Sequence, residues 1–421
     1  MAKFTASSAN DRYTFAGSAD DFLYFQFQDY ANGGDYFDGG AGRDTIQIRS
    51  SMVARLDGAG PMIPTDERYD YSGIEFRSFE VLSYYPMAGM DMPGIVTLTS
   101  EQFGKDHNGR ALISNRLEIT GSNYSPTDIQ QITVNLADGD SRFSAAGWIF
   151  TDSSIGALPV CWTSGQDIIR LNGSSGDNRI TGSSQSDIIN GRGGRDTADY
   201  SAATGSLRAN LSDAGQSTVL IADGETDRLI SIEDLIGGKG DDRLTGNSRA
   251  NRLDGGQGSD ILAGGDGNDE YTVDSRGDKV SEAKAGGTDT VQSSVSWSLA
   301  DNFENLILTG SNNVSAAGNS AANALRGNAG NNSLHGGKGA DLFVFTAARC
   351  GTDTIDDFAP TGNMHDLLQF AHSAFATAAD ALAAARQVGD DVVITSTTFD
   401  GRVRLLDVDL DALSTKDFMI V

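Results

Sequence analysis

Positive charge is scarce in this chain: 31 Lys and Arg stand against 58 Asp and Glu in 421 residues, a formal net charge of −27. A surface so acidic repels the phosphates of nucleic acid and anionic membranes, which argues against those partners and for cations. Cysteine is almost absent. Cys161 and Cys350 lie far apart and outside any Cys-x-x-Cys spacing, so neither a disulfide framework nor a zinc site is indicated; buried thiols are expected, with a single disulfide as the alternative. No apolar run reaches the roughly 18 residues that a membrane-spanning helix needs. The first residues, Met1 to Asp11, lack the apolar core of a secretory signal peptide. The histidines are His107, His335, His365 and His372, and none sits in a His-Glu-x-x-His pattern, so a zinc-protease centre is not expected. A Gly-x-Ser-x-Gly elbow and a phosphate-binding loop are missing as well.

Glycine is plentiful instead, with 51 residues, and it is placed at intervals. From Gly237 the chain reads GGKGDDRLT, GNSRANRLD, GGQGSDILA, GGDGNDEYT. The sixth position holds Asp242, Asn251, Asp260 and Asp269, and the eighth Leu244, Leu253, Leu262 and Tyr271. Glycine opens each unit, followed by Gly238, Gly256 or Gly265 in the second place and Gly240, Gly258 or Gly267 in the fourth. An earlier block, GSSGDNRIT, GSSQSDIIN, GRGGRDTAD, puts Asn178, Asp187 and Asp196 in the sixth place. A later one, GNSAANALR, GNAGNNSLH, GGKGADLFV, gives Asn323, Asn332 and Asp341, with Gly337 and Gly339 before the last. Near the start, GGAGRDTIQ presents Gly40, Gly42 and Asp44, preceded by a degenerate unit around Asp35.

Such spacing has a chemical reading. Glycines allow left-handed turns whose carbonyls point inward, and Asp adds a hard oxygen ligand of the kind Ca²⁺ collects in sets of about six to eight. The eighth residue lies two positions beyond the acid, on a strand, and alternation turns it to the core. Nine residues make a turn and a strand, and two units make one coil. Units two apart then stack at about 4.8 Å, which sets Asp242 beside Asp260, Asn251 beside Asp269, Asn178 beside Asp196 and Asn323 beside Asp341. Two carboxylates about 5 Å apart repel by roughly 3 kcal/mol at an effective dielectric near 20. Several Ca²⁺ ions between turns reverse that sign, so that binding becomes folding. Where Asn323 and Asn332 replace Asp, turn-capping by neutral amides is the competing reading.

These units resemble the glycine-rich nonapeptide of the RTX family, G-G-x-G-x-D-x-U-x, a calcium-binding repeat. The stretches from Arg195 to Gly237 and from Tyr271 to Gly310 resemble its strand-rich spacers, and the end of the chain, from Gly339 through Phe358, resembles the domain that closes serralysin-type metalloproteases. The resemblance implies passage through type I secretion machinery, unfolded at low cytosolic calcium and folding outside the cell. The tail Asp417 to Val421, an acid followed by apolar residues, is similar to the uncleaved signal of that route.

The expected fold is all-β: tandem parallel β-roll or β-helix segments, strand-rich spacers and a small, mostly-β carboxyl-terminal cap carrying one helix. Its expected divisions are 1–49 (roll-like repeats), 50–164 (β-rich, β-helix-like), 165–275 (repeats with a spacer), 276–317 (spacer), 318–345 (repeats) and 346–421 (cap and secretion-signal region). Within 50–164 the runs Glu80–Leu82, Ile95–Leu98, Leu117–Ile119 and Ile132–Leu136 read as strands. The helix is expected around Ala374–Arg386, stopped near Gly389. The function indicated is that of a secreted, non-enzymatic calcium-binding protein with a surface, matrix, adhesion or host-contact partner. Two other readings stay open: a polysaccharide-active enzyme using acids such as Asp66, Glu67, Asp70 and Glu75, and a membrane-acting protein.

Overall fold

The computed structural model describes the backbone of separate strand segments from Arg12 to Asp152, and then residues 168–421 apart from 223, 347–348, 363 and 397–399. Asp35, Gly40, Gly42, Asp44 and Cys161 lie outside the described residues. Two units emerge, residues 1–202 with 214–232, and residues 203–213 with 233–421.

In the first unit, parallel strands succeed one another from Glu67–Asp70 through Gly94–Thr99, Gln130–Asn135, Ile168–Asn172 and Asp187–Asn190 to Thr226–Ile230. A second parallel series runs Phe22–Phe25, Thr45–Arg49, Phe79–Tyr85, Ile113–Gly121, Ile149–Asp152. Among the described residues, parallel pairing therefore continues from Glu67–Asp70 to Ile149–Asp152, where no nonapeptide is legible. Successive strands join different sheets, as coiling demands, because a parallel neighbour cannot be reached by a tight hairpin. One hairpin does interrupt the coil: Gln216–Ile221 pairs antiparallel with Thr226–Ile230.

The second unit shows the coil most plainly. Its longest column sets Leu235, Leu253, Tyr271, Val291, Leu306, Leu325, Phe343, Leu368 and Phe418 opposite one another in register. All are buried, and each fully buried side chain of this size contributes roughly 1.5–3 kcal/mol. Facing columns are Ala209, Leu244, Leu262, Val280 and, further on, Ala316, Leu334, Ile355 and Leu405. Thus Tyr271 to Gly310 does not depart from the stack. Its strands Lys279–Ser281, Thr290–Ser293 and Asn305–Leu308 are further turns of the same coil, with altered turn lengths.

The cap follows at 346–421. Arg349–Ile355 pairs parallel with Asp400–Leu405, and Asp391–Thr395 and Ala385–Val388 add antiparallel strands beyond it. The single α-helix among the described residues is Ala378–Ala384, shorter than the sequence pattern suggests. Thr377 caps its start by accepting the Asp380 N–H. Arg386 to Val388 leave it to pair with Asp391–Val393, and Gly389, at φ +65°, makes the hairpin turn between those strands instead of ending the helix. Strand pairing overrides helix propensity there. Cys350 is buried as a thiol.

Candidate metal centre

Sixth-position residues are joined along the coil by one repeated bond. The backbone N–H of each donates to a carboxylate Oδ1 one coil further on: Asp242 to Asp260 at 2.8 Å, Asn251 to Asp269 at 2.7 Å, Asn178 to Asp196 at 2.8 Å and Asn323 to Asp341 at 2.8 Å, each across 18 residues. These are the neighbours that the repeat spacing sets side by side. The ladder also recruits acids outside the legible units. Asp187 N–H donates to Asp227, Asp260 to Asp278, Asp269 to Asp289, Asn332 to Asp353 and Asp341 to Asp366. Sequence reasoning did not single these acids out because their turns break the glycine-opened nine-residue pattern and, except for Asp278, which keeps 18 residues, their spacing stretches to 20, 21, 25 and 40 residues. A signal was there: Asp227, Asp278, Asp289, Asp353 and Asp366 each precede by two positions a buried apolar residue, namely Leu229, Val280, Val291, Ile355 and Leu368.

The turns themselves come in two conformations. In the closed form, the second residue of the unit donates its N–H to the sixth side chain. Ser174 donates to Asn178, Ser183 to Asp187, Gly238 to Asp242, Asn247 to Asn251, Asn319 to Asn323 and Asn328 to Asn332, at 2.6–2.9 Å. Asp242 has both oxygens engaged this way, since Oδ1 accepts the Leu207 N–H. Gly238 and Gly240 are not left-handed. Glycine is needed there because a Cβ would stand 2.6 Å from Ala203 O and Ser206 N respectively.

In the open form, the second and fourth positions both have positive φ: Arg192 and Gly194, Gly256 and Gly258, Gly265 and Gly267, Gly337 and Gly339. The second-position N–H then points elsewhere, from Arg192 to Asn190, from Gly256 to Asp254 and from Gly337 to Asp357. The sixth residues of these turns are Asp196, Asp260, Asp269 and Asp341, all acids and all at most 2% exposed. The first glycine has a distinct task. A Cβ on Gly255 would lie 2.2 Å from Asp260 Oδ2, and one on Gly264 would lie 2.1 Å from Asp269 Oδ2, so the carboxylate folds back over a residue that cannot carry a side chain.

Asp260 Oδ2 is buried and has no hydrogen-bond partner among the described residues. Burial pushes this carboxyl up to about 6, against the opposing pull of the Asp242 amide and with the charges of Asp278, Asp242 and Asp274 adding to the rise. Asp341 is likewise raised to about 6 and Asp353 to about 7, burial being the main cause in both. In the first unit, burial and the neighbouring Asp227 raise Asp187, while Asp227 itself reaches about 7. A buried carboxylate with a bare oxygen is costly unless a proton or a cation joins it. Glycine-lined turns and hard oxygen donors, with no soft or nitrogen ligand among Asp196, Asp260, Asp269 and Asp341, fit Ca²⁺.

A model of the RTX calcium-binding nonapeptide repeat matches the chain in four copies, over residues 30–47, 170–198, 236–271 and 317–346. No curated protein matches it. Among solved structures, the extracellular lipase LipA from Serratia marcescens is similar at 14% identity over 90% of this chain, with a TM-score of 0.20, a likeness too weak to bear on activity. The chain spans 62% of that lipase's length. The chain thus carries four copies of the RTX calcium-binding nonapeptide repeat, and the strands that follow these turns coil in parallel.

Proposed function

We propose that the open turns hold the calcium ions and that their filling drives the folding of the coil outside the cell. The observation that carries this reading is Asp260 Oδ2, buried without a donor in a turn that Gly256 and Gly258 hold in left-handed conformations. Asp196, Asp269 and Asp341 belong to turns of the same shape. The closed turns, including those of Asp187, Asp242 and the Asn residues, satisfy their sixth side chains with their own backbone. They serve as spacers between ion sites. On this reading the protein works as a non-enzymatic, secreted module. Its ladder acids are committed to backbone amides, and low intracellular calcium keeps it unfolded for export by type I machinery. Its calcium-ordered surface then meets a partner at a surface, in a matrix or on a host.

Calorimetric titration of the full chain with Ca²⁺ tests the assignment. Asp260→Asn is expected to remove one ion, while Asp242→Asn leaves the stoichiometry unchanged. Loss of an ion from Asp242→Asn but not from Asp260→Asn would overturn the division into open and closed turns.

A further inference from the structure

The open turn ending at Asp269 is covered by a turn that the repeat motif does not include, residues 282–289. The two are in close register. Gly267 N–H donates to Gly286 O at 2.6 Å, Thr288 N–H to the Asn268 side chain at 2.9 Å, and Asp269 N–H to Asp289 Oδ1 at 2.8 Å. Between them, one oxygen from each of Asp269, Glu282 and Asp289 lies within 4.8 Å of the others. Asp269 and Asp289 are buried, and Glu282 is half-buried. Glu282 is held in place, because the Tyr271 hydroxyl donates to its Oε1 and the Tyr271 ring packs edge-on against Phe303 at 5.5 Å.

An acidic cluster alone is not a site, but here a second fact points to a ligand. Asp289 Oδ2 is buried, its residue is 0% exposed, and it has no hydrogen-bond partner among the described residues. Burial and the charges of Asp289 and Asp269 also push Glu282 up to about 7, despite the stabilising Tyr271 hydrogen bond. Three converging carboxylates repel one another, and a proton or a cation among them relieves that repulsion.

We propose that Asp269, Glu282 and Asp289 together bind one hard divalent cation, Ca²⁺, closing the third repeat block with two ligands that lie beyond the motif match ending at residue 271. An all-oxygen set drawn from two turns of unequal length suits Ca²⁺, which tolerates irregular geometry, better than Mg²⁺, which demands a near-ideal octahedron. The proposal rests on the reading of the Asp269 turn as an ion turn, and adds Glu282 as the residue that makes this site unlike its neighbours. It also gives the site a reporter, since Tyr271 touches the cluster and can pass excitation to a luminescent lanthanide bound there.

The test uses the full chain, titrated with Ca²⁺ by calorimetry and separately with Tb³⁺ under tyrosine excitation. Glu282→Gln is expected to bind one Ca²⁺ fewer than wild type, and Tyr271→Phe, which keeps all three carboxylates, to lose the largest share of sensitised Tb³⁺ emission. Glu282→Gln binding the wild-type number of ions at unchanged affinity would overturn the proposal, as would undiminished emission from Tyr271→Phe. A wild-type chain that bound no Ca²⁺ would refute the broader reading of the open turns. Ordinary binding with Glu282→Gln unchanged refutes this site alone.

Discussion

The blocks at 237–271 and 318–345 build nearly the same turn with different atoms. Asn323 accepts the Asn319 N–H on Oδ1 and gives its own Nδ2–H to Phe303 O, and Asn332 does the same with Asn328 and Val314 O. Every polar atom of those amides is used, and no charge is buried. Asp260 replaces the amide nitrogen by an ionic oxygen. Its Oδ1 accepts the Asp242 N–H from the neighbouring coil and not an N–H of its own turn, and Oδ2 is left bare. All four open turns carry an acid at this position, whereas the closed turns hold either an amide or, at Asp187 and Asp242, an acid that accepts the N–H of its own turn. Raising a carboxyl from 3.8 to about 6 corresponds to a cost of order 3 kcal/mol for keeping it ionised and ion-free.

This comparison can be broken most forcefully with pH. Asp260, Asp341 and Asp353 have folded values of about 6, 6 and 7 against 3.8 when unfolded. Between those limits the folded chain binds more protons than the unfolded one, so stability without calcium rises as pH falls from 7.5 towards 4. Urea unfolding in chelator is expected to show a gain of several kcal/mol at pH 5 over pH 7.5, and calcium affinity is expected to weaken over the same window as protons compete. A flat profile would mean that the acid rungs bear no ionic penalty. Next in size, Asn323→Asp introduces the penalty into the amide block and removes the bond to Phe303 O. Stability in chelator at pH 7.5 is expected to fall by about 3–4 kcal/mol, read from the same unfolding curves. The smallest effect is the reverse exchange. Asp260→Asn keeps an acceptor for the Asp242 N–H, so the calcium-free chain is expected to gain about 1–3 kcal/mol while the calcium-loaded chain loses its advantage.

Much of this was legible from residue order. The sixth-position partners and the buried eighth-position column follow from glycine spacing and alternation, and Asp242, Asp260 and their neighbours stand where that arithmetic puts them. Turn state was not legible. GGKGDD at Gly237 and GGQGSD at Gly255 look alike, yet only the second is left-handed at both inner glycines; the first stacks on residues 203–206, outside any repeat, and the second on Gly238 and Gly240. Asp227 escaped notice because a hairpin, Gln216–Ile221 with Thr226–Ile230, is inserted before the ladder resumes 40 residues later. Glu282 escaped because only stacking, not sequence distance, brings a turn outside the motif onto Asp269. The helix overran its true end for a related reason: local propensity does not register a strand partner, and Arg386 to Val388 had one.

Hydrogen exchange by mass spectrometry, on the full chain at pH 7.5 with millimolar calcium and then with chelator, puts the role of the bare carboxylate oxygens to the sharpest trial. Peptides covering 255–289 are expected to lose protection in chelator by orders of magnitude more than peptides covering 318–335, and to regain it when calcium returns. Equal protection of 255–289 in both conditions would contradict the account.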